Sequence, residues 1–384
     1  MTVTESTYVN EVYAELGVRP VVNAAATLTR LGGSLVAPPV LPAMAAAARN
    51  FVDIVDLGRA VGRRLAEATR NEAAHVSNGA AALLTLGVIA CIARSKGGAY
   101  VLEDLPYLDR TGEKTVIMFR DQRNPYDYAV RQVGVRIVEI GPDPAELAAA
   151  FDTRTACVLW FAGAHFAEGA LPIEQVVEIA HKSDVPVLVD AAAQVPPVSS
   201  LWHFTTEVGA DGAIFSGGKG LRGPQSTGLM VGKEWLIAAA RINGAPHHSL
   251  GRGMKVGKEE LLGLLAAVEW TLRQDEPALI AAYEASVERW ITGLSGLDGI
   301  TVSRGYPSEA GQPHGRAIVE VGSESGWSRD ELIGALWRND PAIAVAPDGS
   351  RAIALNPQTL QPGEDELVLA ELQRLLRMRT KEVR

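Results

Sequence analysis

Two residues that could do chemistry, Asp190 and Lys219, each follow a short apolar segment. Residues 187–189 (VLV) lead to Asp190, and residues 213–215 (AIF) lead to the run 216–220 (SGGKG) that contains Lys219. Such segments predict buried strands, and α/β sheets bind their ligands at the carboxyl ends of strands. The glycines beside Lys219 let a ligand approach the backbone closely. We therefore expect both side chains to face one site, with Lys219 as a candidate Schiff-base lysine.

An acid and a lysine in this arrangement suit pyridoxal 5'-phosphate. Its aldehyde condenses with the lysine, and the acid keeps the pyridine nitrogen protonated. A nucleotide-binding P-loop is the competing interpretation, but its pattern requires a hydroxyl residue directly after Gly-Lys. Here Gly220 stands at that position, and Gly212 lies one residue too early. Helix capping by Asp190 and solvation of Lys219 would explain each residue alone, whereas their joint placement favours the cofactor.

The composition excludes several other classes of protein. The chain has 384 residues, and its 47% hydrophobic content is ordinary for a globular protein. Its formal net charge of −9 argues against a general nucleic-acid surface. Cys91 and Cys157 are the two cysteines, so we predict neither a disulfide framework nor a metal site. The N-terminus does not resemble a signal peptide, and the apolar run at 80–93 is too short to span a bilayer. We expect a cytoplasmic protein without a membrane or nucleic-acid partner.

Strands and helices alternate along most of the sequence, which predicts an α/β fold with a mostly parallel, doubly wound sheet. The last part of the chain changes character and predicts a smaller C-terminal α+β domain. We divide the chain into four segments: an N-terminal arm (1–35), a large cofactor-binding domain (36–255), connecting helices (256–300) and the small domain (301–384).

A phosphate site is predicted where a short strand at His75 ends in Ser77-Asn78-Gly79 before an apolar helix over 80–94. Helix N-termini present unpaired N–H groups and the positive end of the helix dipole. Helix capping without a ligand is the more common meaning of Ser-Asn-Gly on its own. The predicted cofactor, which carries a phosphate, favours the binding interpretation.

Basic residues elsewhere are candidates for the anionic groups of a substrate. Arginine binds carboxylates and phosphates through two parallel hydrogen bonds, and lysine binds them as a point charge. The segment 246–258 is basic within an acidic protein, and its adjacent histidines lack the spacing of a metal pair. The candidates for substrate binding are Arg222, Arg252, Lys255 and Arg351.

With these residues identified, the sequence resembles the fold-type I pyridoxal-phosphate enzymes. It is most similar to the group that contains selenocysteine synthase and D-glucosaminate-6-phosphate ammonia-lyase. The motifs that carry the resemblance are VVNAAATLTRLGGS, HVSNGAAALLTLG, QRNPYDYAVRQVG, VLVDAAAQVPP, IFSGGKGLRGPQSTGLMVG and GRGMKVGKEE, which occur in this order over roughly residues 20–270.

The resemblance implies site residues and an assembly. It implies the Schiff base at Lys219, the partner of the pyridine nitrogen at Asp190, and a homodimer or larger assembly with the site at a subunit interface. Two residues depart from the pattern of the relatives. Gln122 stands where they tend to have histidine, and Gln194 follows Asp190 by four residues where cysteine desulfurases have three. The implied cofactor contacts beyond Asp190 and Lys219 are Ser77, Asn78, Gly79, Gln122, Gln194 and Ser216.

The leading prediction for function is a pyridoxal-phosphate lyase that removes an α-proton and eliminates a β-hydroxyl from an amino acid or amino-sugar acid. An amino-acid racemase or epimerase is the alternative, with Tyr126, Tyr128 or His165 as a second acid–base group. A tRNA-dependent selenium transferase and a non-catalytic cofactor-binding protein are further alternatives. The negative net charge argues against the tRNA-dependent one.

Overall fold

The computed structural model describes residues 11–94 and 114–383. Residues 11–15 are helical, and residues 1–10 of the predicted N-terminal arm lie outside the described residues. The strands are β1 (Val21–Ala24), β2 (Ala73–Ser77), β3 (Thr115–Phe119), β4 (Arg136–Ile140), β5 (Thr155–Phe161), β6 (Val187–Asp190), β7 (Gly212–Ser216), β8 (Gly228–Gly232), β9 (Ile300–Gly305), β10 (Arg316–Val321), β11 (Ala342–Asp348) and β12 (Ala352–Leu355).

The α-helices lie in the segments between and after these strands. They are α1 (Val40–Ala48), α2 (Ile54–Ala68), α3 (Ala80–Arg94), α4 (Tyr128–Arg131), α5 (Pro144–Ala149), α6 (Ala164–Ala167), α7 (Ile173–Lys182), α8 (Ser200–Trp202), α9 (Glu234–Ile242), α10 (Lys258–Thr271), α11 (Glu276–Leu294), α12 (Arg329–Arg338) and α13 (Glu364–Val383).

A seven-stranded sheet carries the predicted site. Its strand order is β2-β8-β7-β6-β5-β3-β4. Strands β3 to β7 pair in parallel, and β8 runs antiparallel to both of its neighbours. The fold class predicted from the sequence, an α/β protein with a mostly parallel sheet, is confirmed.

Helices cover both faces of this sheet because its strands are apolar on both sides, as in buried parallel sheets. Val187 and Val189 of β6 pack into one core together with residues of α2, α7 and α10. Leu188, between them, packs into a second core with residues of α3 and α9. The sheet is therefore the middle of three layers. Cys91 and Cys157 lie in the second core as free, buried thiols.

A second sheet contains strands from both ends of the chain. It has five strands in the order β1-β11-β12-β10-β9, and β1 pairs in parallel with β11, Val21 opposite Ala342. Strand β1 lies in the segment that the sequence predicted as an N-terminal arm. It becomes an edge strand because β11 supplies the hydrogen-bond partners.

The chain divides into two compact units. One contains the described residues of 1–33 with 277–308 and 313–384, and the other contains the described residues of 34–276 with 309–312. This grouping differs from the four segments predicted from the sequence. Residues of the predicted arm pair with the C-terminal part of the chain, and Glu309–Gln312 belongs to the unit that carries the seven-stranded sheet.

The described residues contain neither a membrane-spanning helix nor a metal-binding cluster. No helix in 11–94 or 114–383 is long and apolar enough to cross a membrane. Within the same residues, no group of three or more His, Cys, Asp or Glu side chains is placed to hold a metal ion.

Candidate active site

Parallel pairing of β6 with β7 places Asp190 and Lys219 at the same edge of the sheet. Asp190 is the last residue of β6 and lies opposite Ile214, two residues before the end of β7. The Asp190 side chain is buried, and its Oδ1 accepts a hydrogen bond of 2.9 Å from the backbone N–H of Ala192. Lys219 follows in the turn after β7. Adjacent parallel strands thus deliver an acid and an amine to one region, as the sequence predicted.

The lysine turn is held by backbone contacts that the sequence analysis missed. The Ser34 hydroxyl donates to the Lys219 carbonyl at 2.8 Å, and the Ser34 N–H donates to the Gly218 carbonyl at 2.9 Å. A Cβ on Gly220 would lie 1.9 Å from the carbonyl oxygen of Val195. The turn therefore requires glycine on this side of the lysine.

Gly220→Ala is expected to displace Lys219 and lower turnover, because the added methyl group overlaps the Val195 carbonyl. Misplacing a reacting group by about 1 Å costs roughly 10²-fold in rate, and cofactor loading should fall as well. Steady-state kinetics and the ratio of cofactor to protein absorbance test this. Gly253→Ala is the matched control, since a Cβ there meets no atom within 4 Å. Normal loading and turnover in both variants would contradict the steric requirement at Gly220.

Burial opposes the charge on both central side chains. It lowers the pKa of Lys219 from its ordinary value, while the charges of Asp190 and Glu309 act in the opposite direction. Burial raises the pKa of Asp190, against the hydrogen bond from Ala192 and the charge of Lys219. A lysine with a lowered pKa holds more neutral amine, which is the form that attacks an aldehyde and accepts protons.

Glu309 and its neighbours enter the site from a distant part of the sequence. The Glu309 carbonyl lies 2.7 Å from Nδ1 of His165, so the ring nitrogen donates to it. The Gln194 Nε2 donates to the Ala310 carbonyl at 2.6 Å, and the Gln312 Nε2 donates to the Ala193 carbonyl at 2.9 Å. The segment therefore fixes the loop after β6. No local sequence motif marks this segment, so its role could not be predicted from the sequence.

The predicted phosphate contacts lie in one row across three strands. Ser77 of β2 and Ser216 of β7 are both paired with Gly228 of β8, so their backbones lie about 10 Å apart, at two strand spacings. Gly79 has a φ of +102° and leads directly into α3, whose first N–H groups are therefore available to an anion. Asn78, which lies between Ser77 and Gly79, is exposed. The Ser77 hydroxyl donates to the Met254 carbonyl at 2.8 Å and retains acceptor capacity.

The two glutamines predicted to contact the cofactor are both bonded to the backbone. The Gln122 Nε2 donates to the Phe161 carbonyl at 3.1 Å, and its Oε1 accepts from the Phe161 N–H at 2.9 Å. Gln122 is fully buried. Gln194 is bonded to the carbonyls of Ala310 and Ala162. Each amide is thus fixed in place beside the carboxyl end of the sheet, and contact with the cofactor stays a prediction for both.

The four candidates for substrate binding lie in different surroundings. The Arg222 Nε donates to the Leu35 carbonyl at 3.0 Å, and its guanidinium lies over the Trp270 ring. Arg252 and Lys255 line one small cavity of the unit that carries the seven-stranded sheet. Arg351 lies in the other unit, in an open depression together with Glu320 and Glu324. Their roles toward a substrate stay predictions.

The charged loop that begins at Gln122 contains an ion-pair network. Asp127 is 2% exposed and accepts from the Arg123 Nε at 2.5 Å and from the Arg131 Nε at 2.8 Å. Burial by itself would raise the pKa of Asp127, but the hydrogen bonds from Arg123 and then Arg131 outweigh it, so the pKa is lowered. Tyr126 and Tyr128 are 63% and 62% exposed. The charges of this loop are therefore largely structural.

Asp127→Asn is expected to destabilise the fold by about 2 kcal/mol, because it removes the partner of two arginines while keeping the shape of the side chain. A lowered folded-state pKa stabilises the protein above the unfolded-state pKa of about 3.9, and that contribution is lost as the pH falls through the folded value. Denaturant unfolding at pH 7 and at pH 3, which lies below the unfolded-state pKa, measures both effects. The exposed pair of Asp152 with Arg154 supplies the control, Asp152→Asn, which should leave the midpoint unchanged. Equal midpoints for wild type and Asp127→Asn at pH 7 would contradict the prediction.

The charged and hydrogen-bonding groups of the site fit pyridoxal phosphate. Asp190 is a buried carboxylate that forms no salt bridge with the other residues described, and a protonated pyridine nitrogen would supply the missing positive charge. Lys219 is a half-buried amine with a lowered pKa, and the row from Ser77 to Ser216 ends at a helix N-terminus. These features define a pyridoxal-phosphate enzyme of the α/β class.

Comparison with known proteins leads to the same class. The family model described as aminotransferase class-V matches residues 124–253. D-glucosaminate-6-phosphate ammonia lyase from Salmonella typhimurium (strain 14028s / SGSC 2262) is 31% identical over 95% of this chain and 97% of its own length. A 5'-C-glycyluridine monooxygenase-decarboxylase from a Streptomyces species is 32% identical over 95% of this chain and 92% of its own length.

Solved structures agree with the sequence comparison. A structure of D-glucosaminate-6-phosphate ammonia-lyase superimposes with a TM-score of 0.78 at 28% identity, over 96% of this chain and 98% of that one. A serine palmitoyltransferase with pyridoxal phosphate has a TM-score of 0.61 at 14% identity, over 93% and 88% of the two chains, which shows a shared fold. The chain belongs to the fold-type I family of pyridoxal-phosphate enzymes. The resemblance and the cofactor predicted from the sequence are confirmed.

Proposed function

We propose that this enzyme is an ammonia-lyase that acts on a 2-amino sugar acid with a hydroxyl group at Cβ. The observation that carries the proposal is the similarity to D-glucosaminate-6-phosphate ammonia lyase over nearly the whole of both chains, together with the placement of Asp190 and Lys219 at one edge of the sheet. The substrate of that relative combines an amino group, a carboxylate and a phosphate.

The chain's own residues would share the work as follows. Bound pyridoxal phosphate supplies an electron sink next to the substrate's α-carbon. Burial favours the neutral form of the Lys219 Nζ, which takes the α-proton. Asp190 balances the positive charge of the ring nitrogen. The Cα–H and Cβ–O bonds break, and hydroxide leaves with a proton as water. Water then hydrolyses the enamine product to a 2-oxo acid and ammonia.

The test is a product assay with amino acids and amino-sugar acids of both configurations, with and without a phosphate ester, run in deuterium oxide. Stoichiometric ammonia and 2-oxo acid support the lyase. Solvent deuterium at Cα of recovered substrate, with loss of optical rotation and without ammonia, would indicate the racemase instead. The candidates for the second acid–base group of a racemase do not favour that reaction, because Tyr126 and Tyr128 are largely exposed and His165 is bonded to the Glu309 carbonyl.

A second candidate function follows from the relative in Streptomyces, which is as similar in identity as the ammonia lyase and is named as a monooxygenase-decarboxylase. Oxidative decarboxylation would consume dioxygen and release carbon dioxide. Adding an oxygen electrode and a carbon dioxide trap to the product assay distinguishes the two. Ammonia release at an unchanged rate under argon supports the lyase, and strict dependence on dioxygen would support the monooxygenase.

We also infer a homodimer or larger homo-oligomer, and we retain the expectation of a cytoplasmic enzyme. The unit with the seven-stranded sheet exposes several large apolar side chains close together in sequence: Leu35 59%, Leu41 62%, Phe51 103% and Val52 50%. Such exposure on one segment is typical of subunit contacts. Light scattering after gel filtration tests the assembly, and cell fractionation tests the location. A monomer at micromolar concentration would contradict the inferred contact.

A further inference from the structure

A small cavity beside β2 has an unusual lining. Its volume is about 160 Å³, and it lies among the N-terminal turns of α2, strand β2 and the loops that connect α9 with α10. The cofactor residues assigned above do not line it. Its charged and imidazole-bearing lining residues are His75, Arg241, His247, Arg252 and Lys255.

The charges in this lining are all of one sign. Arg241, Arg252 and Lys255 contribute cations and two histidines contribute imidazoles, and the lining contains no aspartate or glutamate. Within the described residues, none of the three cations forms a salt bridge. This is a local excess of positive charge in a chain whose formal net charge is −9. A cavity walled by such groups raises the local concentration of anions.

Arg241 shows most clearly that a partner is missing. Its Nε is buried and has no hydrogen-bond partner among the described residues, and its Nη2 reaches the Ala74 carbonyl only at 3.5 Å. Burial lowers the pKa of Arg241, and the nearby charges of Arg59 and Arg63 act in the same direction, against Glu234. Buried polar atoms in proteins are normally hydrogen-bonded, so the unsatisfied Nε of this half-buried cation calls for an acceptor.

His75 adds a hydrogen-bonding group of adjustable charge. It lies on β2, two residues before Ser77, so that both side chains are on one face of the strand. Burial lowers the pKa of His75 to about 4, with a further contribution from the charge of Arg241. At neutral pH the ring is therefore uncharged, and one of its nitrogens can donate to an oxyanion.

From this geometry we propose that the cavity is a binding site for a small oxyanion of the phosphate class, anchored by Arg241 and completed by His75, His247 and Lys255. The volume supports a single group of this size, because a cavity of about 150 Å³ holds a molecule the size of benzene. The site is additional to the cofactor's phosphate contacts. Its link to them is Met254, which lines the cavity and accepts the hydrogen bond of Ser77.

The test is a calorimetric titration of the holoenzyme with inorganic phosphate. Wild type is expected to bind one phosphate per chain in addition to that of the cofactor. Arg241→Met should weaken this binding at least tenfold, and Lys255→Met, at an exposed position, should weaken it with less risk to folding. Arg49→Met, at an exposed arginine outside the cavity, is the matched control and should bind as wild type does. Circular dichroism verifies the fold of each variant.

A second titrant, D-gluconate 6-phosphate, distinguishes two possible sources of the oxyanion. This compound lacks the amino group of the proposed substrate and cannot react. If the cavity holds the phosphate ester of the substrate, this compound displaces inorganic phosphate and perturbs the cofactor absorbance, whereas D-gluconate does not displace it. If the cavity holds free phosphate, the ester leaves phosphate binding unchanged. Either result supports the site. The absence of phosphate binding by folded wild type, or equal affinity in wild type and both cavity variants, would overturn it. The titration requires no turnover, so it remains decisive if the lyase proposal fails.

Discussion

Replacing Lys219 with alanine is expected to abolish turnover and the covalent attachment of the cofactor. The amine is half-buried and has a lowered pKa, and it lies in the turn after the strand next to Asp190. Loss of the nucleophile and of the base that takes the α-proton should lower kcat by roughly 10⁴-fold or more. The measurements are ammonia release and the absorbance band of the protein-linked cofactor.

Lys233→Ala provides the matched control for this experiment. Lys233 is a partly exposed lysine that pairs with Glu72 at the far end of β8, and its loss should leave both turnover and absorbance intact. Borohydride reduction of wild type followed by peptide mass mapping locates the modified lysine independently. A modified peptide that lacks Lys219, or an absorbance band that survives in Lys219→Ala, would show that the assignment is wrong.

Replacing Asp190 with asparagine is expected to lower kcat by roughly 10²–10³-fold while the cofactor remains attached. Asparagine keeps the shape of the side chain and can still accept the Ala192 N–H through its carbonyl oxygen, but it carries no charge to balance a protonated ring nitrogen. Asp190→Glu restores the charge with a longer side chain and should recover part of the lost rate.

The pH dependence of cofactor loading gives a second measurement on the same variant. The charge of Asp190 raises the pKa of Lys219, so its removal lowers that pKa further. The amine is then neutral at lower pH, and the acid limb of pyridoxal-phosphate binding to apoprotein should move to lower pH in Asp190→Asn. An unchanged acid limb together with an unchanged kcat would remove Asp190 from the site.

The parts of the site that follow directly on strands could be predicted from the sequence. Asp190 closes one apolar run and Ser77 closes another, so strand periodicity predicts each of them at a strand end, whereas the role of Ser216 is implied only by the family resemblance. The apolar stretch after Gly79 predicted α3 with the bounds that the structure shows. Local pattern determines such features, since each depends on a few neighbouring residues.

Contacts between distant segments could not be predicted in this way. Ser34 supports the Lys219 turn and Glu309 adds charge near it, but neither lies in a sequence pattern that indicates its partner. Arg222 was selected for its charge, whereas the structure directs its Nε to the Leu35 carbonyl. Arg241 was not selected at all, because its position in the helix α9 gives no sign that its Nε is buried beside a cavity.

The pairing of β1 with β11 affects the order in which the chain folds during its synthesis. Val21 is synthesised before the whole seven-stranded sheet, whereas its neighbour Ala342 is synthesised after it. All strands of the seven-stranded sheet lie between these two positions, so that sheet can assemble first, as domains commonly do on the ribosome. The five-stranded sheet is completed after the seven-stranded one. If a ribosome stalls before residue 342, strand β1 of the nascent chain has no pairing partner and is accessible to chaperones.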